Sequence, residues 1–125
     1  MEIITKNQLE EVPLPGRHIW KAIGKDGALQ SEKMTLGFAR FAASIGAAEP
    51  HQHAEESIYV LDAHHAAIRW GSAKDSLPYS QPLKKGMLLH IPAQEWHVFE
   101  CGTEGFCEVL FFYAQTDNIR PEEAK

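Results

Sequence analysis

Two stretches, GAAEPHQHAEESIYVLDA from Gly46 to Ala63 and GMLLHIPAQEWH from Gly86 to His97, decide how this chain reads. The first places His51 and His53 one residue apart and follows them with a carboxylate, Glu56. The second ends a strand-like run at Pro92 and delivers a third histidine, His97. On an extended strand alternate side chains face the same way, so the His51 and His53 imidazoles can converge while Gln52 points off. Three imidazoles and a carboxylate form a donor set that borderline divalent metals accept. A metal site is the leading functional expectation.

Working outward, short apolar or alternating runs recur with turn residues between them, the pattern of an all-β domain. Strands are expected at about Arg17–Gly24, Lys33–Ala43, Glu49–His53, Ser57–Leu61, Ala66–Trp70, Met87–Ile91, His97–Glu100 and Phe106–Tyr113. The breakers GKDGALQ, SIGAAEP, DAHH, GSAKDSLPYSQP and CGTEG separate them with turn chemistry. Helix is expected only as single turns, in NQLEEV near the start and RPEEAK at the end. About eight short strands in 125 residues imply a single domain, a sandwich or small barrel, with its core between about residues 17 and 113. A barrel of that size has an interior wide enough for side chains or one small ligand.

Composition sets the outer limits. The formal net charge of −5 argues against nucleic acid, which needs a basic stripe; Lys84–Lys85 is the one tight basic pair. No apolar run reaches the length of a membrane span, and MEIITKNQLEEV lacks the apolar core of a signal peptide, so a cytoplasmic location is expected. Cys101 and Cys107 flank GTEGF and are expected to be free thiols.

The two stretches together resemble the two signature motifs of the cupin superfamily, small β-barrels with a jelly-roll core. In the first motif Gly46, His51, His53 and Glu56 match, with Ala63 where the closing glycine usually stands. In the second, Gly86, Pro92 and His97 match, with Gln94 in place of glycine and Cys101 in place of asparagine. The likeness runs from about Thr35 to Tyr113. It implies a jelly-roll barrel of two antiparallel sheets and a metal held by His51, His53, Glu56 and His97. Only Ala54 and Glu55 stand between His53 and Glu56, a shorter spacing than the motif has. Counting back from Ala63 selects Glu56; continuing strand alternation from His53 selects Glu55. Glu56 is the preferred ligand.

The resemblance also implies one divalent transition ion (iron, manganese, nickel, zinc or copper) and a small-molecule substrate. The leading expectation is a metal-dependent isomerase, lyase or dioxygenase acting on an oxygen-rich metabolite. The alternatives are a non-catalytic binding module and a structural protein. Glu55, Tyr59, His90 and Arg40 are the pocket candidates for proton transfer or substrate binding, with Trp96 as a further wall residue. Arg40 shares strand parity with Leu36 and Phe38, a face that would line the barrel only with a partner for its charge. His64, His65 and His18 read as surface or strand residues, and Phe111, Phe112 and Tyr113 as core or dimer contact. A homodimer is expected, formed through the N-terminal strand around EIIT.

Overall fold

The structure is a computed structural model and describes residues 1–116. A 3-10 turn at Lys6–Gln8 precedes seven strands: β1 (Glu11–Leu14), β2 (Arg17–Ile23), β3 (Thr35–Ala42), β4 (Glu56–Gly71), β5 (Tyr79–Pro82), β6 (Leu88–Ile91) and β7 (Trp96–Tyr113). All pairings between these strands are antiparallel, in the order β1-β2-β3-β7-β4-β5, with β6 added to β4. The fold is the expected all-β jelly-roll barrel.

The barrel closes because β4 and β7 are long and bent. They pair from Ser57↔Phe112 to Gly71↔Trp96, and register shifts interrupt the ladder at Val60/Asp62 and His64/Ala66. At the second shift His64 opposes Phe106 and Ala66 opposes Cys101, so His65 faces the four residues 102–105. Extra residues on one side of a ladder bend and twist it. DAHH and CGTEG therefore bend two continuous strands instead of ending them. This corrects the expectation of separate strands there. Past the bend, β4 leaves β6 and pairs with β5. Phe41 of β3 stacks on Phe99 of β7 with ring centroids 4.4 Å apart, joining the two halves through the core.

Several expectations change in detail. The strand expected at Glu49–His53 reduces to one bridge, His51↔His97. NQLEEV is divided between the 3-10 turn and β1, and GSAKDSLPYSQP contains β5. Met1–Thr5 forms no strand, and Ile3 is 82% exposed. RPEEAK lies outside the described residues. Both cysteines are free, as expected. No helix among the described residues is long and apolar enough to cross a membrane.

Alternation fixes which side chains look inward. On β4, Glu56, Ile58 and Val60 are buried and Ser57 and Tyr59 exposed. On β3 Gly37, Ala39 and Phe41 are buried on one face, and Ala42 is buried at the strand's end. Leu36, Phe38 and Arg40 take the outer face. There the register lines up Trp20, Phe38, Leu110, Tyr59 and Leu88 across five strands.

Candidate metal centre

His51 and His97 meet as a closed backbone pair: His51 N donates to His97 O at 3.0 Å, and His97 N to His51 O at 2.9 Å. Residues 46 positions apart thus become neighbours. His53 follows after one residue, and a turn at Pro92–Glu95 locks it in place: Gln94 N donates to His53 O at 2.7 Å. Gln94 holds this position with φ 65°, the left-handed region where the motif supplies glycine.

The three rings pack with centroids 4.3 Å (His51–His97), 4.7 Å (His53–His97) and 5.1 Å (His51–His53) apart. One ligand-type atom from each falls within 4.8 Å of those of the other two. Each Nδ1 is engaged by a backbone carbonyl: His51 with Glu49 at 3.1 Å, His53 with Ala54 at 2.8 Å and His97 with Glu95 at 2.8 Å. Donation from Nδ1–H sets the tautomer and leaves Nε2 as the basic nitrogen. Glu56 places Oε1 3.3 Å from His53 Nε2 and 3.8 Å from His97 Nε2. His53, Glu56 and His97 are all buried. Among the described residues, His51, His53 and His97 are the one group of three or more histidine, cysteine or acidic side chains with metal-binding spacing. The donor set, three imidazoles with Nδ1 held by backbone carbonyls and one carboxylate, fits a borderline divalent ion.

A cavity of about 80 Å³ runs from this cluster through the barrel, several times the room that one water needs. Its walls are Ile19, Ala39, Phe41, Ile58, Val109 and Phe111, and His51 and Glu56 border it. Tyr113 also lines it, its ring 5.2 Å from that of His53 and perpendicular to it.

No protein-family model matches this chain, and no curated protein matches it by sequence. Solved structures do match by shape. The polyketide cyclase RemF from Streptomyces resistomycificus superposes with a TM-score of 0.74 at 20% identity, over 100% of this chain and 86% of that one. A protein from Planctomyces limnophilus gives a TM-score of 0.69 at 21% identity, over 98% and 94%. Fe(II)-HppE, solved with an alternative substrate, gives 0.66 at 11% identity, over 90% of this chain and 60% of that one. This chain has the cupin fold.

Within the cupin barrel the sequence-derived candidates separate cleanly. His51, His53, Glu56 and His97 come together. Glu55, Tyr59, His90 and Arg40 do not join them, because all four sit on the outer face. Glu55 and His90 pair with each other at 2.5 Å, both well exposed, so His90 belongs to the surface and not to the pocket. Tyr59 points outward beside Leu88. Arg40 bonds Glu108 at 2.7 Å and lies over the Phe106 ring. Trp96 does not line the cavity. His64 and His65 stack on each other at the surface, and His18 pairs with Glu11.

Sequence reading missed Arg17, Phe111 and Tyr113 as cavity residues. Arg17 is 3% exposed and lines the same space as His51 and Glu56. The signal was present in RHIWKAI, where alternation puts Arg17, Ile19 and Lys21 on one face. Tyr113 and Phe111 follow from the same rule applied to Cys107 and Val109.

Proposed function

We propose that His51, His53, Glu56 and His97 hold one divalent transition ion, and that this cupin is a metal-dependent enzyme for a small molecule bound in the barrel cavity. The observation that carries the reading is the convergence of three buried or half-buried imidazoles whose Nδ1 atoms are all committed to backbone carbonyls. That arrangement leaves one basic nitrogen per ring on the cluster side, which a structural hydrogen-bond network would not require.

A bound ion would supply Lewis-acid polarisation of a substrate oxygen, or a substrate held through two oxygens. The chain does the rest. Glu56 offsets positive charge at the cluster, and the apolar walls keep bulk water from the reacting atoms. Tyr113 and Glu56 line the cavity beside the imidazoles, and they replace the outer-face candidates for proton transfer. Isomerase, lyase and dioxygenase chemistry all use this equipment. So does cyclisation of an enolisable ketone, and a cyclase stands among the structural neighbours. Iron, manganese, nickel, zinc and copper all suit the donors.

The test is elemental analysis of purified protein beside the His51→Ala/His53→Ala double variant, with circular dichroism to follow the fold. One metal per chain in the first and none in the folded second is the expected result. A folded native protein that takes up none of the five metals on incubation overturns the reading. Stoichiometric metal without turnover on any isomerase, lyase, cyclase or dioxygenase substrate panel would reduce it to a binding module.

A further inference from the structure

We propose that the outward face of the β2-β3-β7-β4-β6 strands is a docking surface for a second copy of this chain, joined face to face about a two-fold axis that runs along the strands near β7. This goes beyond the metal reading and does not rest on it.

Strand register and parity assemble the face. Trp20, Phe38, Leu110, Tyr59 and Leu88 form one outward row across the five strands, and Leu36 and Phe112 stand beside Phe38 and Leu110 in the next row. The Lys6–Gln8 turn reaches the β2 edge, where Lys6 Nζ lies 4.0 Å from the centre of the Trp20 ring. At the other end Tyr59 is 39% exposed and Leu88 79%. Neighbouring strands lie about 4.8 Å apart and outward residues about 6.7 Å apart along a strand, so three outward rows with their side chains cover about 25 by 20 Å. Two such faces together bury about 1,000 Å², the area at which a specific association begins. A contiguous apolar patch of a few hundred Å² often marks an interaction site.

The charges around the apolar row select the partner. In the third outward row His18, Arg40, Glu108 and Asp62 stand in register on β2, β3, β7 and β4. Lys6 lies over Trp20 at the β2 edge, and Glu55 lies beside His90 at the β6 edge. Lys6 and Arg40 thus occupy the β2-β3 half of the face, and Glu108, Asp62 and Glu55 the β7-β4-β6 half. Within one chain Arg40 bonds Glu108 across the middle, while His18 pairs with Glu11 and His90 with Glu55 at the edges. A two-fold axis along the strands turns the basic half of one copy onto the acidic half of the other. The positions of Lys6 and Arg40 then come opposite those of Glu55 and Asp62. A contact between identical faces requires this self-complementary pattern. Chains of formal net charge −5 repel one another at long range, and a face that sets opposite signs together around an apolar centre offsets that repulsion.

The experiment is sedimentation equilibrium of the full chain across the micromolar range, with circular dichroism to follow the fold. The native protein should sediment with the mass of two chains. Tyr59→Lys/Leu88→Lys changes two exposed positions, so it should fold as the native chain does. It should raise the dimer dissociation constant about a hundredfold or more, because its ammonium groups would be buried against apolar side chains. Tyr79→Lys, at a 59% exposed position on β5 outside this face, should leave the dimer intact. Lys6→Glu should weaken the dimer about threefold or more, and adding Glu55→Lys to it should restore the affinity. A monomeric native chain overturns the inference, as does a Tyr59→Lys/Leu88→Lys chain that keeps the native mass, or a Tyr79→Lys chain that dissociates equally. A Lys6→Glu/Glu55→Lys chain no tighter than Lys6→Glu overturns it too. So does a chain that dimerises only after residues 117–125 are removed, which would give the face to its own C-terminal segment.

Discussion

Gln94→Gly should make this protein more stable, a result that a surface glycine would not ordinarily give. Gln94 is the third residue of the Pro92–Glu95 turn, closed by Glu95 N donating to Pro92 O at 3.3 Å, and its φ is 65°. The left-handed conformation costs a residue with a Cβ about 1–2 kcal/mol. Glycine avoids that cost but adds about 0.5–1 kcal/mol of unfolded-chain entropy. The difference is a gain of about 0.5–1 kcal/mol, or about 2–5 °C in Tm for a chain of this length. The Gln94 side chain is exposed and makes no hydrogen bond described here, so its loss subtracts little. The backbone bond from Gln94 N to His53 O survives in glycine. The assay is urea unfolding followed by tryptophan fluorescence, with Gln94→Ala as the control. Alanine keeps the backbone penalty and should show no gain. If glycine is neutral or destabilising, or if alanine gains as much, the strain at Gln94 is not what separates it from the motif glycine.

Gly37→Ala should cost about 1–3 kcal/mol in the same assay, because its new Cβ would stand 2.6 Å from Trp20 O and 2.7 Å from the Phe111 ring. An unchanged midpoint would show that β2 and Phe111 can yield freely. Glu56→Gln should weaken metal binding about tenfold or more in competition with a chromophoric chelator, whereas Glu55→Gln, whose partner is surface His90, should leave it unchanged. The reverse order would return the carboxylate ligand to Glu55. Burial, then the neighbouring Cys101, Glu108 and Asp62, pushes the Cys107 thiol from 9.0 up to about 12. The folded state keeps that proton while the unfolded chain releases it, so stability should fall as pH rises from about 9 towards 12, by up to about 1.4 kcal/mol per pH unit. Cys107→Ala should flatten that decline, and an identical slope would remove the thiol as its cause. For the homodimer expected from the sequence, deletion of Met1–Asn7 should lower the solution mass by light scattering, since Met1–Thr5 pairs with no strand among the described residues. An unchanged mass would place any interface elsewhere, with the outward row from Trp20 to Leu88 the next surface to test.

The choice between Glu55 and Glu56 shows where strand parity serves and where it fails. Alternation counted from His53 selects Glu55, but it assumes an unbroken strand. Residues 52–55 are not in a strand and bend at Ala54, so the count restarts at Glu56, where β4 begins. From there Glu56, Ile58 and Val60 alternate inward as the sequence suggests. The motif spacing selects the carboxylate that stands beside His53 and His97, because it measures back from β4 and not forward across the bend. The same dependence on continuity explains DAHH and CGTEG. Their residues are turn formers, and a turn former placed opposite another in a long ladder can make a bulge as readily as an end.

Residue size misled where parity did not. In TLGFARFA two large apolar side chains, Leu36 and Phe38, share a face with Arg40 against Gly37, Ala39 and Phe41 on the other, which invites reading the first face as the interior. The barrel does the opposite. Gly37 and Ala39 point inward because the facing strand already fills the space: Phe111 lies opposite Gly37, and Val109 opposite Ala39. Small residues on one wall make room for large ones on the next, and the volume neither occupies is the cavity that reaches the histidines. Arg17 escaped notice for a related reason. RHIWKAI carries an apolar residue on each face, Ile19 and Trp20, so hydrophobicity alone does not orient it. Only the ladder does, with Ile19 opposite inward-facing Ala39 and Trp20 opposite outward-facing Phe38. Once that register is set, Arg17 and Lys21 must face inward with Ile19. The inward placement of two cations on β2 is therefore a consequence of strand pairing, which composition alone does not reveal.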